Sequence, residues 1–350
     1  MTPSDPMSCL PAHDLHCAAM QVGTQWREVA DRRILITGGT GFVGRWLVET
    51  LAHARASHHL ACELSLVTRS ATRTRERWPW LASQLWISLL EADVREIPMS
   101  QGSIDVVLHG AADTAIAVGT CDVAEVCELG TRRMLELAER CGATRFHLVS
   151  SGAVYAPRQA GDPDPTESEP IDQATQAPYG AYALGKRAAE RLVSKASNGC
   201  DAAVTVSRVF GLIGPSLPLD GRFAIGNFIR DALHGGPILV RGDGQSVRSY
   251  LHGADLAAWI WTLTLAGARG TVLNAGSDEA ISIADLAGRV RDLLAPRCSV
   301  RIEAASGVDR SRYVPDASRA GELLGLRRHR TLDQGILGTA RHYQGTVGTP

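Results

Sequence analysis

Apolar positions follow two rhythms along the chain. Short unbroken runs alternate with longer stretches whose apolar residues fall three or four apart, and that alternation predicts a layered α/β protein. Arg33-Ile34-Leu35-Ile36-Thr37 is a run that stops at glycine, and residues 42–54 then carry helical spacing. Leu64-Ser65-Leu66-Val67-Thr68 precedes an arginine-rich helix, after which residues 85–90 and 104–109 supply two more runs. Residues 123–140 are strongly helical in pattern, and residues 145–150 read as the next strand. Strands alternating with helices require parallel pairing and right-handed crossovers, so the predicted fold is a doubly wound parallel sheet.

Residues 178–196 predict a long helix and 202–208 a further strand. Beyond them, residues 211–244 are rich in Gly and Pro, as expected of a lobe built from loops and short elements. Regular spacing returns at 254–266 and 271–274, which predicts re-entry into the first domain. The expected organisation is a nucleotide-binding domain over 32–210, re-entered at about 253–276. A smaller interleaved C-terminal substrate lobe takes 211–252 and 277–335, followed by a tail at 336–350. The first 31 residues, with Pro3, Pro6 and Pro11, read as a poorly ordered leader.

Charge narrows the choice of partner. Lys and Arg total 36 against 37 Asp and Glu, so no global basic field draws in nucleic acid. The eight cysteines (Cys9, Cys17, Cys62, Cys121, Cys127, Cys141, Cys200 and Cys298) form no C-x-x-C and lack the short spacing of a zinc site, which fits a metal-free protein in a reducing cytoplasm. No run of about twenty apolar residues occurs, and the start has Asp and His where a signal peptide would be basic and then apolar. Neither export nor membrane insertion is expected.

The first chemical signal is Gly38-Gly39-Thr40-Gly41-Phe42-Val43-Gly44, between the first predicted strand and helix. Gly38, Gly41 and Gly44 let the backbone approach a dinucleotide pyrophosphate, with Phe42 and Val43 opening the helix whose N-terminus faces that charge. At the end of the second strand an acid selects NAD, whereas arginine accepts the extra phosphate of NADP. This chain has Thr68-Arg69-Ser70 there, which favours NADP over NAD. Asp93 and Val94, after the third strand, are expected at the adenine edge, and Ala111 and Ala112 at the backbone floor of the cofactor.

The second signal is Tyr182 with Lys186. Four residues apart on a helix, they share one face, and a neighbouring ammonium favours phenolate over phenol. Such a tyrosine can take or return a hydroxyl proton as hydride leaves or arrives, while Ser151, at the end of the fifth strand, shares the same substrate oxygen. Together with the glycine turn this predicts a nicotinamide enzyme.

The set Thr37 to Gly44, His109-Gly110-Ala111-Ala112, Ser150-Ser151-x-x-Val154-Tyr155 and Tyr182-x-x-x-Lys186 resembles the extended short-chain dehydrogenase/reductases, in their nucleotide-sugar epimerase/dehydratase branch. The likeness runs from about residue 33 to 335. It implies a Rossmann fold, with Ser151, Tyr182 and Lys186 as the catalytic trio and Lys186 also bonding the nicotinamide ribose. It further implies that Arg248 binds the diphosphate of a nucleotide sugar, with Asn227 and Arg312 as candidates for the same pocket. An ion pair with Asp255 is the structural alternative for Arg248. Dehydratases of the branch carry Asp-Glu after the Ser/Thr position, where this chain has Gly152-Ala153. The resemblance therefore leaves reduction of a 4-keto sugar, favoured by Arg69, or 4-epimerisation with tightly held NAD. A non-catalytic NADP-binding sensor is the reading from another class. By the same likeness a homodimer is expected.

Overall fold

The computed structural model describes residues 9–99, 102–112, 122–171, 180–199, 201–219, 221, 223–303 and 310–344. After α1 (Ala12–Val22), the first half alternates as its apolar runs predict: β1 (Arg33–Thr37), α2 (Phe42–His58), β2 (Glu63–Thr68), α3 (Ala71–Arg77), β3 (Ile87–Glu91), β4 (Val106–His109), α4 (Asp122–Arg140) and β5 (Arg145–Ser151). The two-residue β6 (Arg158–Gln159) precedes α5 (Gly180–Ser197), β7 (Ala203–Val209), β8 (Leu212–Ile213), α6 (Ala224–Leu233), β9 (Ile238–Arg241), β10 (Val247–Arg248) and β11 (Leu251–His252). The last third holds α7 (Gly253–Ala266), β12 (Val272–Ala275), β13 (Ile281–Ser282), α8 (Ile283–Leu294), β14 (Val300–Glu303), β15 (Ser311–Tyr313), α9 (Ser318–Leu324) and α10 (Leu332–Gln344). The start of the helix expected at residue 178 lies outside the described residues.

Seven strands form one parallel sheet in the order β12-β7-β5-β4-β1-β2-β3. Both faces are covered, which is why Ile34, Leu35 and Ile36 on β1 and Val106, Val107 and Leu108 on β4 are all buried. One face packs against α2 and α7 through Trp46, Leu51, Leu256 and Ile260, and the other against α4 and α5 through Met134, Leu137 and Val193. This is the doubly wound α/β fold. Strand order reverses between β1 and β4, so the crevice beyond their carboxyl ends is the place where such sheets take ligands. β12, from the stretch where regular spacing returns, is an outer strand of this sheet.

A second sheet, β13-β10-β15-β6, stands apart from the first. Its edge strand β6 comes from the stretch assigned by sequence to the nucleotide domain, so residues 158–159 work with the smaller lobe. Residues 9–31 of the leader are the larger correction, while residues 1–8 lie outside the described residues. Leu15, Ala18, Ala19, Val22, Trp26 and Val29 are buried, a helical spacing that the prolines upstream obscured. Trp26 packs on Trp261 of α7 at 5.2 Å and donates to the Ala19 carbonyl at 2.9 Å. Leu15, Val22 and Val29 each contribute about 1.5–3 kcal/mol by burial, enough to order the segment. The first part of the tail is corrected likewise: α10 crosses residue 336 and buries Ile336, Ala340 and Tyr343, while residues 345–350 lie outside the described residues. No described helix is long and apolar enough to cross a membrane.

Candidate active site

The glycine turn sits at the reversal of strand order. Gly38 has φ +70°, and a Cβ there would lie 2.5 Å from the carbonyl carbon of Gly110, beyond β4. A Cβ on Gly44 would meet the Gly39 Cα at 2.2 Å, so this glycine lets α2 press onto the turn. Gly41 differs. A Cβ there would meet only the Gly38 carbonyl oxygen, at an ordinary 3.5 Å, and it precedes a helix whose N-terminus no side chain caps. The unspent N–H groups of α2 and the exposed Gly41 form a cradle that fits a pyrophosphate. Phe42 and Val43 are half-buried in the first turn of that helix.

A buried chain of hydrogen bonds fixes the floor. Thr131 donates to the Cys127 carbonyl at 2.6 Å, so His109 donates from Nε2 to Thr131 (3.1 Å) and accepts at Nδ1 from Thr37 (2.7 Å). The Thr37 oxygen in turn accepts the Ala111 N–H at 3.1 Å, which orients Ala111 and its neighbour Ala112. Burial, and secondarily the Lys186 charge, push His109 down to about 3. It is neutral, and Lys186 faces no second cation from this ring.

At the end of β2, where the sequence reading puts the adenosine, Arg69 is exposed and Ser70 caps α3 by accepting the Arg73 N–H. The sequence reading missed Glu91. Paired with Thr68 across the sheet, it brings a carboxylate to the Ala71 N–H at 2.7 Å, beside the position where an acid was absent from β2. Asp93 is clasped by Arg95 at 2.9 and 3.0 Å, a hydrogen bond that lowers its carboxyl, with Arg69 adding to the effect. Val94 turns its side chain into the core beneath α4.

Tyr182, Lys186 and Glu190 are spaced i, i+4, i+8 along α5 and so share a stripe facing β5. Lys186 is buried, donates from Nζ to the Val149 carbonyl at 2.7 Å, and lies 5.9 Å from the centre of the Tyr182 ring. Gly185 lets α5 come close to α4, since a Cβ there would stand 2.8 Å from the Ala124 Cα. Ser151, two residues beyond Val149, accepts the Ala153 N–H at 3.2 Å and lies 3.3 Å from the hydroxyl of Tyr313. Glu190 accepts from Ser150 at 2.5 Å and pairs with Arg208 at 2.8 Å, pinning the helix to β5 and β7. Arg208 also donates to Tyr155, whose hydroxyl donates to Asn274 at 2.7 Å. Burial pushes Tyr155 up to about 12, so it remains a phenol fully engaged in structure.

A cavity of about 170 Å³ opens beside Ser151, lined by Gly152, Tyr155, Phe210, Arg248, Arg312 and Tyr313 among others. The Arg248 guanidinium is held by the Val247 and Ser311 carbonyls and by Ser311 Oγ, at 2.8–2.9 Å. It does not pair with Asp255, whose carboxylate takes the N–H groups of His329 and Arg330 instead. Arg312 forms a two-pronged pair with Asp164 at 2.7 and 2.9 Å. Asn227 lies on α6, accepts from Gly221 and Arg230, and is not among the residues lining this cavity. The structure thus joins Arg248 and Arg312 to the Ser151 end of β5 and sets Asn227 apart. Tyr313, absent from the sequence reading, had no local signal, because β15 meets β5 only through the tertiary fold.

The chain is similar to known proteins along most of its length. UDP-glucuronic acid decarboxylase 2 of Arabidopsis thaliana is 29% identical over 310 residues, 87% of this chain and 66% of that protein, so the chain spans about two thirds of that relative. UDP-glucuronic acid decarboxylase 6 of the same plant is 26% identical over 92% of this chain and 91% of its own length. Among solved structures, the dTDP-glucose 4,6-dehydratase DesIV of Streptomyces venezuelae, with NAD and TYD bound, superposes with TM-score 0.77 at 24% identity, covering 89% and 97% of the two chains. A UDP-glucose 4-epimerase of Thermotoga maritima with UDP-glucose gives TM-score 0.76 at 20% identity, covering 90% and 99%. At these identities the structural likeness is one of fold. The family model described as the NAD dependent epimerase/dehydratase family matches residues 34–276, and with the glycine cradle and the Tyr182-Lys186 stripe in place, the chain belongs to that family of extended short-chain dehydrogenase/reductases.

Proposed function

We propose that this enzyme exchanges hydride at C4 of a nucleotide-diphosphate sugar without eliminating water, and that it runs as a 4-keto-sugar reductase. The observation that carries the reading is the α5 stripe: Lys186, anchored on the Val149 carbonyl, stands beside Tyr182 and two residues from Ser151 along β5. Gly38, Gly41, Gly44 and the uncapped α2 terminus would hold the dinucleotide, which when bound supplies the hydride. Ser151 hydrogen-bonds the C4 oxygen, Tyr182 gives that oxygen its proton, and the Lys186 ammonium stabilises the phenolate left behind. Arg248, already oriented by Ser311, takes the sugar diphosphate as a guanidinium fork, with Arg312 beside it. Gly152-Ala153 offers neither acid nor base for elimination.

Arg69 supports NADPH as the reductant. A second reading, redox-neutral turnover with retained NAD, is favoured by the Glu91 carboxylate at the α3 terminus and by the decarboxylases among the relatives. One assay separates them. Net NADPH consumption with a nucleotide-linked 4-keto hexose, lost in Arg69→Ala and not seen with NADH, supports the reductase. Conversion of UDP-glucuronic acid or a UDP-hexose without added cofactor defeats it. We also propose a homodimer through α4 and α5, which pack together and expose Leu129 and Leu184. A monomeric mass in light scattering would overturn that.

A further inference from the structure

Resting on the hydride exchange proposed above, we infer that Tyr313 is a positioning residue for Ser151, a phenol rotor that decides where the serine proton points. Ser151 Oγ has one proton and two lone pairs, and one lone pair already takes the Ala153 N–H. The Tyr313 hydroxyl lies 3.3 Å from Ser151 Oγ and 3.4 Å from the Val209 carbonyl oxygen. Both separations are long for an O–H···O bond, so neither the serine oxygen nor the Val209 carbonyl holds the phenol proton much more tightly than the other.

The two settings differ for substrate. With the phenol proton on Val209, Ser151 donates its own proton to the phenol oxygen. With the phenol proton on Ser151, the second serine lone pair is filled and the serine proton is released for a sugar oxygen to accept. The exchange is a rotation about one C–O bond and breaks no covalent bond. The ring itself is fixed, because Tyr313 packs on Phe210 at 4.7 Å with the planes tilted by 37°, and β15 is registered on β10 with Tyr313 opposite Arg248. Phe210 is in turn seated on Gly152, where a Cβ would come within 2.6 Å of the ring. A substrate oxygen brought beside Ser151 therefore meets a serine whose donor direction a fixed phenol can reset.

A double-mutant cycle on kcat with the holoenzyme and its nucleotide-sugar substrate tests this. Tyr313→Phe keeps the packed ring, and its expected effect is a roughly tenfold loss in kcat with KM nearly unchanged. In the Ser151→Ala background the same change costs nothing further, an outcome that a structural role for the ring does not produce. Urea midpoints of the four proteins check that each is folded. Equal losses in both backgrounds, or wild-type kcat in Tyr313→Phe, would overturn the inference while leaving the proposed reaction intact. A wild-type protein that turns over no nucleotide sugar would remove the reaction and this inference with it.

Discussion

Glu190→Gln measures how firmly the Tyr182-Lys186 stripe of α5 is held. Glu190 Oε1 accepts from Ser150 at 2.5 Å and Oε2 accepts from Arg208 Nη2 at 2.8 Å, with Arg208 Nε shared between the two oxygens at 3.2 and 3.1 Å. Both side chains are only 6% exposed. Burial works against the Arg208 charge, yet the Glu190 hydrogen bonds and charge hold its guanidinium above the ordinary value. The amide has nearly the same shape but no charge, so Arg208 is left buried beside a weaker partner. Breaking one side of such a pair costs about 3–5 kcal/mol, and the Tyr155 hydroxyl and Glu167 carbonyl on Arg208 place this case near about 3 kcal/mol. In a chain of this size that is a fall of roughly 6 °C in Tm. Equilibrium urea unfolding reads it directly, as a lowered midpoint at unchanged slope. Glu190→Leu with Arg208→Met removes both charges, and most of the stability is expected to return. A Glu190→Gln midpoint equal to wild type, or a double variant no better than the single, would refute the reasoning.

Tyr182→Phe is expected to lower turnover at least about a hundredfold while dinucleotide affinity, read by fluorescence titration, stays near wild type; retained turnover would remove Tyr182 from the chemistry. Gly38→Ala forces a Cβ onto a φ of +70° and against Gly110, so dinucleotide affinity falls roughly tenfold or more, and unaltered binding would contradict the close approach. Asp255 gives a pH signature. Burial pushes its carboxyl up to about 6, so the native state keeps a proton that the unfolded chain, near 3.9, has released. The contribution is complete below about pH 3.9 and is lost as pH rises through 6, so Asp255→Asn gains on wild type by up to roughly 3 kcal/mol between pH 4 and 7. A stability difference that does not vary with pH would refute it.

What the sequence determined is what short-range geometry encodes. Apolar runs at two periods specify buried strands and one-faced helices, so the alternation from β1 to β5 and the later strand β12 were readable from spacing alone. The glycine turn was readable because its demands are local, a positive φ at Gly38 and room above Gly41. The Tyr182-Lys186 stripe was readable because an i, i+4 spacing puts two side chains on one helix face, and Glu190 extends the same rule by one turn. The helical spacing of residues 15–29 was also present but lay behind prolines and among histidines, and only burial against α2 and α7 gives it a reason to form.

Tertiary structure alone decided contacts between segments far apart in the chain. Ser151 meets Tyr313 across 162 residues. Glu91 reaches the end of β2 only because β2 and β3 pair in the register Thr68 to Glu91. Arg248 is turned toward Ser311, and not Asp255, by a two-residue strand pairing. No periodicity carries such information, because register and sheet order depend on how all the elements bury their apolar faces at once.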